Sequence, residues 1–170
     1  PGYLAINPMG KVPAIVHHER GGDRVVTECA AICHYLAETV ARDLLPRDNE
    51  KADYFRLLFF AAGPVEQAVV ANSMGWSAGE DMSKQGMLGF GSFERAMAGL
   101  ETLLADRDYV CGERFTMADV YVGSQVDWGM AFGSMPKGRV FENYAERLRA
   151  RDAYQAAKAI DNKLIEEAKQ

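Results

Sequence analysis

The hydrophobic pattern changes period near residue 45. Before that point, two short strand-like runs precede one helix-like stretch. Val12 to His18 is apolar and partly β-branched, and Arg24 to Thr27 contains the β-prone pair Val25-Val26. Between them, Glu19-Arg20-Gly21-Gly22-Asp23 is rich in turn formers, which predicts a β-hairpin. Thr27-Glu28-Cys29-Ala30 then opens a helix in which Ile32, Tyr35 and Leu36 recur at helical spacing. Leu44 to Asp48, with Pro46 in its middle, stops that helix and reads as a linker.

From Asp48 onward the pattern is helical. Lys51 to about Met74 is a long apolar segment, with a kink expected at Gly63-Pro64. Gly75 to Gly91 is glycine-rich and predicts a loop or broken helix. Three apolar stripes follow: Phe93, Met97, Leu100 and Leu104; Phe141, Tyr144 and Leu148; and Tyr154, Ala157, Ile160 and Leu164. The helix from Thr116 to about Met130 has little polar face, and this predicts burial on most sides. Its start, Thr116-Met117-Ala118-Asp119, is a capping-box variant in which the Asp119 carboxylate reaches back to the Thr116 N–H. No internal repeat is found.

Composition narrows the function classes. Hydrophobic residues at 48% and charged residues at 25% of 170 fit a globular chain with a real core. A net charge of -5 and a pI near 5.2 leave no electrostatic footprint for nucleic acid or an anionic membrane. No apolar run reaches the length of a spanning helix. The opening residues lack a basic segment and so do not read as a signal peptide. They read instead like the middle of a domain, so a missing N-terminal segment is expected. Cys29, Cys33 and Cys111 are an odd number of cysteines, which argues against a disulfide framework and for a reducing, cytoplasmic compartment.

Three blocks then combine. Asn7-Pro8-Met9-Gly10-Lys11-Val12-Pro13-Ala14-Ile15, Thr27-Glu28-Cys29-Ala30-Ala31-Ile32 and Arg114-Phe115-Thr116-Met117-Ala118-Asp119 resemble, in order and spacing, the soluble glutathione S-transferases of bacterial type. The resemblance implies an α/β partial thioredoxin-like domain, a hairpin plus a helix over residues 1–45, followed by an all-α helical-bundle domain over 46–170. It implies glutathione as co-substrate, no metal, and conjugation of the glutathione thiolate to hydrophobic electrophiles in detoxification. A homodimer is implied as well. The family's thiol-activating residue lies upstream of residue 1, so no catalytic residue is named.

The resemblance also assigns binding positions. Val12-Pro13 is the family's cis peptide bond, and the backbone before the proline meets the cysteinyl part of glutathione; an ordinary trans turn proline is the alternative. Glu28 and Cys29 sit where a helix begins, with free N–H groups and the positive end of the dipole. There the γ-glutamyl carboxylate docks and Glu28 takes the ammonium; the alternative is a first-turn acid that merely favours the helix. Cys29 departs from the usual serine: it is either a reactive thiol able to form a mixed disulfide with glutathione or a buried inert cysteine. Lys11 matches a position that contacts the glycyl carboxylate. The electrophile is expected against Pro64 and Val65. Glutathione-dependent isomerisation or reduction, and a non-catalytic module that binds a partner protein, remain as alternatives. Cys29, Cys33 and His34 do not form a metal set, because His34 points away from the face the cysteines share. His17 and His18, adjacent in a strand, face opposite sides and cannot chelate together.

Overall fold

The computed structural model describes residues 2–169. A short helix α1 (Gly2–Ile6) precedes strands β1 (Ala14–Glu19) and β2 (Gly22–Thr27), then helix α2 (Cys29–Val40). The strands pair antiparallel from Ala14↔Thr27 to Glu19↔Gly22, which leaves a two-residue loop at the tip. Gly22 sits at φ 111°, a conformation open to glycine, so the turn chemistry read from the sequence is what closes the hairpin. A two-stranded sheet alone is marginal in water. Here α2 lies against it, and His17 Nδ1 meets the Tyr35 hydroxyl at 2.8 Å. Among the described residues no further strand forms, apart from a single bridge between Tyr109 and Gly112.

The remaining helices are α3 (Lys51–Phe60), α4 (Glu66–Ser73), α5 (Met82–Met87), α6 (Phe93–Leu104), α7 (Met117–Ala131), α8 (Arg139–Arg149) and α9 (Asp152–Ala168). The expected kink at Gly63-Pro64 takes the form of a π turn over Ala61–Val65 that joins α3 to α4. In a regular α-helix the proline ring would clash with the carbonyl four residues back; a wider turn relieves that clash while the chain stays helical. The glycine-rich stretch before Gly91 holds only the short α5, capped by Asp81, whose carboxylate accepts from the Ser83 and Lys84 N–H groups.

Helix α7 is the centre of the bundle and packs on α2, α3, α8 and the π turn. Leu148 of α8 approaches the backbone of α7 at Gly123 so closely that a Cβ there would collide with it. The expected burial of α7 holds except along one strip, where Val120 and Trp128 are exposed. The capping box at its start forms. The buried Asp119 carboxylate accepts from the Thr116 N–H at 2.8 Å, the Thr116 hydroxyl at 3.0 Å, the Val110 N–H at 2.7 Å and the Tyr144 hydroxyl at 2.9 Å. Burial pushes its pKa up against these hydrogen bonds, which favour the ionised form.

A second polar cluster closes the linker. Arg114 donates to the Glu50 carboxylate and to the Asp43 and Leu45 carbonyls, each of these carbonyls at 2.7 Å. Chiefly through Arg114, Glu50 is pushed down to about 2.

Two of the three predicted stripes face the core: Met97, Leu100 and Leu104 of α6, and Phe141, Tyr144 and Leu148 of α8, are buried. The third does not. Tyr154 is half-buried, its hydroxyl donating to Asp127 at 2.7 Å, but Ile160 and Leu164 are 62% and 58% exposed. Helix α9 meets the bundle mainly at its start, against α8 and the end of α7, and then runs past it.

Replacing Asp119 by alanine leaves buried donors from three elements without an acceptor. We expect a loss of about 3–5 kcal/mol of folding stability, with Asp119→Asn costing less because one acceptor oxygen remains. Equilibrium urea unfolding measures both.

Candidate functional site

Just beyond the last pair of the hairpin ladder, Ala14↔Thr27, the two chains part. One supplies Val12-Pro13 and the other Glu28-Cys29, and between them opens a cavity of about 400 Å³. Asn7, Lys11 and Ala30 extend its near wall, while Ala62, Glu66 and Tyr121 from the helical part form the far wall. Five residues singled out from the sequence, Lys11, Val12, Pro13, Glu28 and Cys29, therefore share one space.

Each wall is positioned by identifiable interactions. The buried Asn7 donates from Nδ2 to the Lys11 carbonyl at 2.7 Å and accepts the Met9 N–H at 3.0 Å, which fixes the loop carrying Lys11. The Val12-Pro13 peptide bond is cis. Glu28 precedes the first turn of α2 with φ 64° and ψ 113°, a region a non-glycine residue rarely adopts. Such a conformation costs of order 1–3 kcal/mol and persists only where the surroundings impose it.

Cys29, the first residue of α2, is exposed and lines this space, so it is not a buried cysteine. Its thiol is lowered to about 7, first by hydrogen bonding with the Cys33 thiol one turn on; burial and the charge of Glu66 oppose the shift. Cys33 is pushed upward by the same hydrogen bond and by burial, so it is the member of the pair that keeps its proton. His34 turns aside, its Nδ1 meeting the Tyr54 hydroxyl at 2.9 Å. The third thiol, Cys111, lies half-buried beside Thr116 and is pushed up to about 11 by burial.

On the far wall the Tyr121 hydroxyl donates to Glu66 at 3.4 Å and accepts from the Gln125 amide at 3.2 Å. Burial pushes it up to about 12, so it stays a neutral donor. The two residues expected beside the electrophile do not line this cavity. Val65 has no exposed surface, because its side chain points into the core, and Pro64 does not line the cavity. The same helical segment presents Ala62 and Glu66 instead. Asn7, Glu66 and Tyr121 were not singled out as site residues. Asn7 heads the first motif block and could have been found there, whereas Glu66 and Tyr121 carry no local signal and reach the cleft only through the packing of α4 and α7.

Residues 1–39 match the model of the glutathione S-transferase N-terminal domain, and residues 41–128 that of the glutathione S-transferase C-terminal domain. The chain belongs to the glutathione S-transferase family.

The fold is accordingly the family's: part of a thioredoxin-like domain followed by a helical domain. This glutathione S-transferase family member is 32% identical over 137 residues to glutathione S-transferase 1 of Schizosaccharomyces pombe, which covers 75% of this chain and 56% of that protein. It is 29% identical over 150 residues to maleylacetoacetate isomerase of Pseudomonas aeruginosa, with 82% of this chain and 68% of that one covered. Among solved structures, a sphingomonad glutathione S-transferase complexed with glutathione aligns with a TM-score of 0.70 at 26% identity, covering 95% of this chain and 79% of that chain. The chain spans a little over half the length of the first curated relatives it matches. Among the described residues no helix is long and apolar enough to cross a membrane.

Glycine at position 28 tolerates the observed backbone without strain. Glu28→Gly is expected to stabilise the fold by about 1 kcal/mol, the strain relieved less the entropy glycine adds to the unfolded chain. Denaturant midpoints for wild type and variant measure the difference.

Proposed function

We propose that the cleft binds glutathione and that the whole protein conjugates the bound thiolate to an apolar electrophile. The observation that carries this reading is the chemistry of the walls. A flexible cation, Lys11, and the carboxylates of Glu28 and Glu66 line one cavity with the start of α2. A small zwitterionic peptide, with carboxylates and an ammonium group, complements that set. The solved relative that carries glutathione supports the same choice of ligand. In this reading Val12-Pro13 meets the cysteinyl backbone, Glu28 takes the γ-glutamyl ammonium, Cys29 and the helix start receive its carboxylate, and Lys11 meets the glycyl carboxylate. Residues 1–45 then form the glutathione-binding part and 46–170 the helical domain, with Ala62 and Tyr121 at the boundary facing the electrophile. What these residues supply is binding and orientation, which convert attack by the thiolate into an effectively intramolecular step.

The likeness to maleylacetoacetate isomerase favours a second reading, in which the bound thiol serves an isomerisation and is regenerated. Glutathione consumption during turnover separates the two: conjugation consumes it and isomerisation does not.

A cytoplasmic homodimer belongs to the same proposal. The stacked pair Phe55 and Phe59 is exposed on α3. Sedimentation velocity on Phe59→Asp is expected to show a shift toward monomer.

Calorimetric titration of the full-length protein with S-methylglutathione tests the site. We expect binding of roughly 4–8 kcal/mol, and Glu28→Ala should weaken it about 10- to 100-fold through loss of a charge-assisted contact. Wild-type protein that takes up no ligand would overturn the proposal and favour a module that binds a partner protein.

A further inference from the structure

Helix α7 borders two cavities. Tyr121 faces the cleft, whereas Val120, Ser124 and Trp128, spaced one turn apart, face a second space on another side of the helix. That space holds about 350 Å³, a volume in the range of small-molecule sites. Its opposite wall is the first half of α9, which contributes Tyr154 and Ala157. The two cavities share no lining residue.

The walls of the second cavity are mostly apolar and aromatic, and the carboxylates among them are already engaged. Asp119 accepts from its four donors. Asp127 pairs with Arg149 and accepts the Tyr154 hydroxyl. Asp161 lies 3.7 Å from Lys158, whose ammonium also sits 5.5 Å from the centre of the Trp128 ring. Arg151 is different. Its guanidinium carbon lies 3.5 Å from the centre of the Phe115 ring. Among the described residues Arg114, Arg147 and Arg149 are ion-paired, whereas Arg151 is not. Stacking on a ring uses the face of a guanidinium and leaves the N–H groups in its plane free for a bidentate acceptor. The cavity thus offers an aromatic slot with one half-buried cation that lacks a counter-charge.

We propose that this cavity is a second binding site, taking a small aromatic carboxylate whose ring enters between Trp128 of α7 and Tyr154 of α9 and whose carboxylate pairs with Arg151. The site is separate from the cleft and does not rest on reading the cleft as a glutathione site. Each part of the ligand answers one part of the wall. A neutral arene would leave the guanidinium without a partner, and a bare inorganic anion would leave the aromatic walls uncovered.

Titration of the isotope-labelled full-length protein with naphthoate tests the site, the Trp128 indole signal being assigned by its loss in Trp128→Phe. That signal is expected to shift and saturate below about 1 mM ligand, while the Trp76 signal stays in place. The uncharged naphthamide should bind about ten-fold more weakly, because the charge-assisted pair with Arg151 is lost. Arg151→Gln should bring the affinity for naphthoate down to that for the amide. Arg151→Lys, which keeps the charge but not the fork, should fall between. Ala157→Trp, which fills the cavity from α9, should abolish the shift. Naphthoate should bind equally well with S-hexylglutathione present, since the two cavities are separate. The absence of a saturating shift at Trp128 overturns the proposal, as does equal affinity of the wild type for acid and amide. Equal naphthoate affinity in wild type and Arg151→Gln removes the assigned role of Arg151. Displacement by S-hexylglutathione would put the ligand in the cleft and overturn the second site. The comparison of acid with amide needs no variant, so it decides the matter even where Arg151→Gln disturbs packing on Phe115.

Discussion

A single buried carboxylate organises this chain. Asp119 sits at the start of the central helix, and its two oxygens gather donors from that helix start, from Val110 in the preceding loop and from Tyr144 on α8. A charge so far from water is costly unless every lone pair finds a partner. Satisfying it fixes how α7, α8 and the loop between α6 and α7 sit together. Five residues earlier, Arg114 extends the constraint across the linker by joining Glu50 to the carbonyls of Asp43 and Leu45. The depth and angle of α7 follow from these contacts, and α7 brings Tyr121 to the cleft.

The cleft itself exists because the hairpin ends early. Where the ladder stops, β1 is continued backward by a loop fixed through Asn7 and β2 is continued forward by Glu28 in a left-handed conformation. An unstrained residue at position 28 would let the chain enter α2 along a different path. The strain is thus tied to the place where the carboxylate of Glu28 and the start of the helix face the same space, the pattern expected when local stability yields to the geometry of a site.

The sequence made the locally encoded features legible. The hairpin followed from turn residues between β-prone runs, the capping box from Thr116 and Asp119 three apart, and two core stripes from helical spacing. The near wall of the cleft was legible because its residues fall in contiguous motifs. What escaped depends on packing. The stripe Tyr154, Ala157, Ile160 and Leu164 shows that α9 is amphipathic but not whether another element lies opposite, and most of it lies open. Trp128 and Val120 looked like core because apolarity does not distinguish a packed face from an exposed strip. Val65 was placed beside the electrophile by the resemblance alone, which marks the segment around Gly63-Pro64 but not which of its side chains turn inward, and Val65 is buried.

The π turn over Ala61–Val65 also bears on how such a chain can diversify. A turn of this kind accommodates one residue more than an α turn within an otherwise continuous helix. Removing a single residue there would let the turn tighten while α3 and α4 keep their alignment on the core. Because Ala62 and Glu66 border the cavity on either side of Pro64, that change in chain length would reshape one wall of the cleft and leave the residues of the opposite wall untouched. Descent with insertions and deletions could therefore tune the ligand space through the number of residues in one turn, without replacing any group that makes contact on the hairpin side.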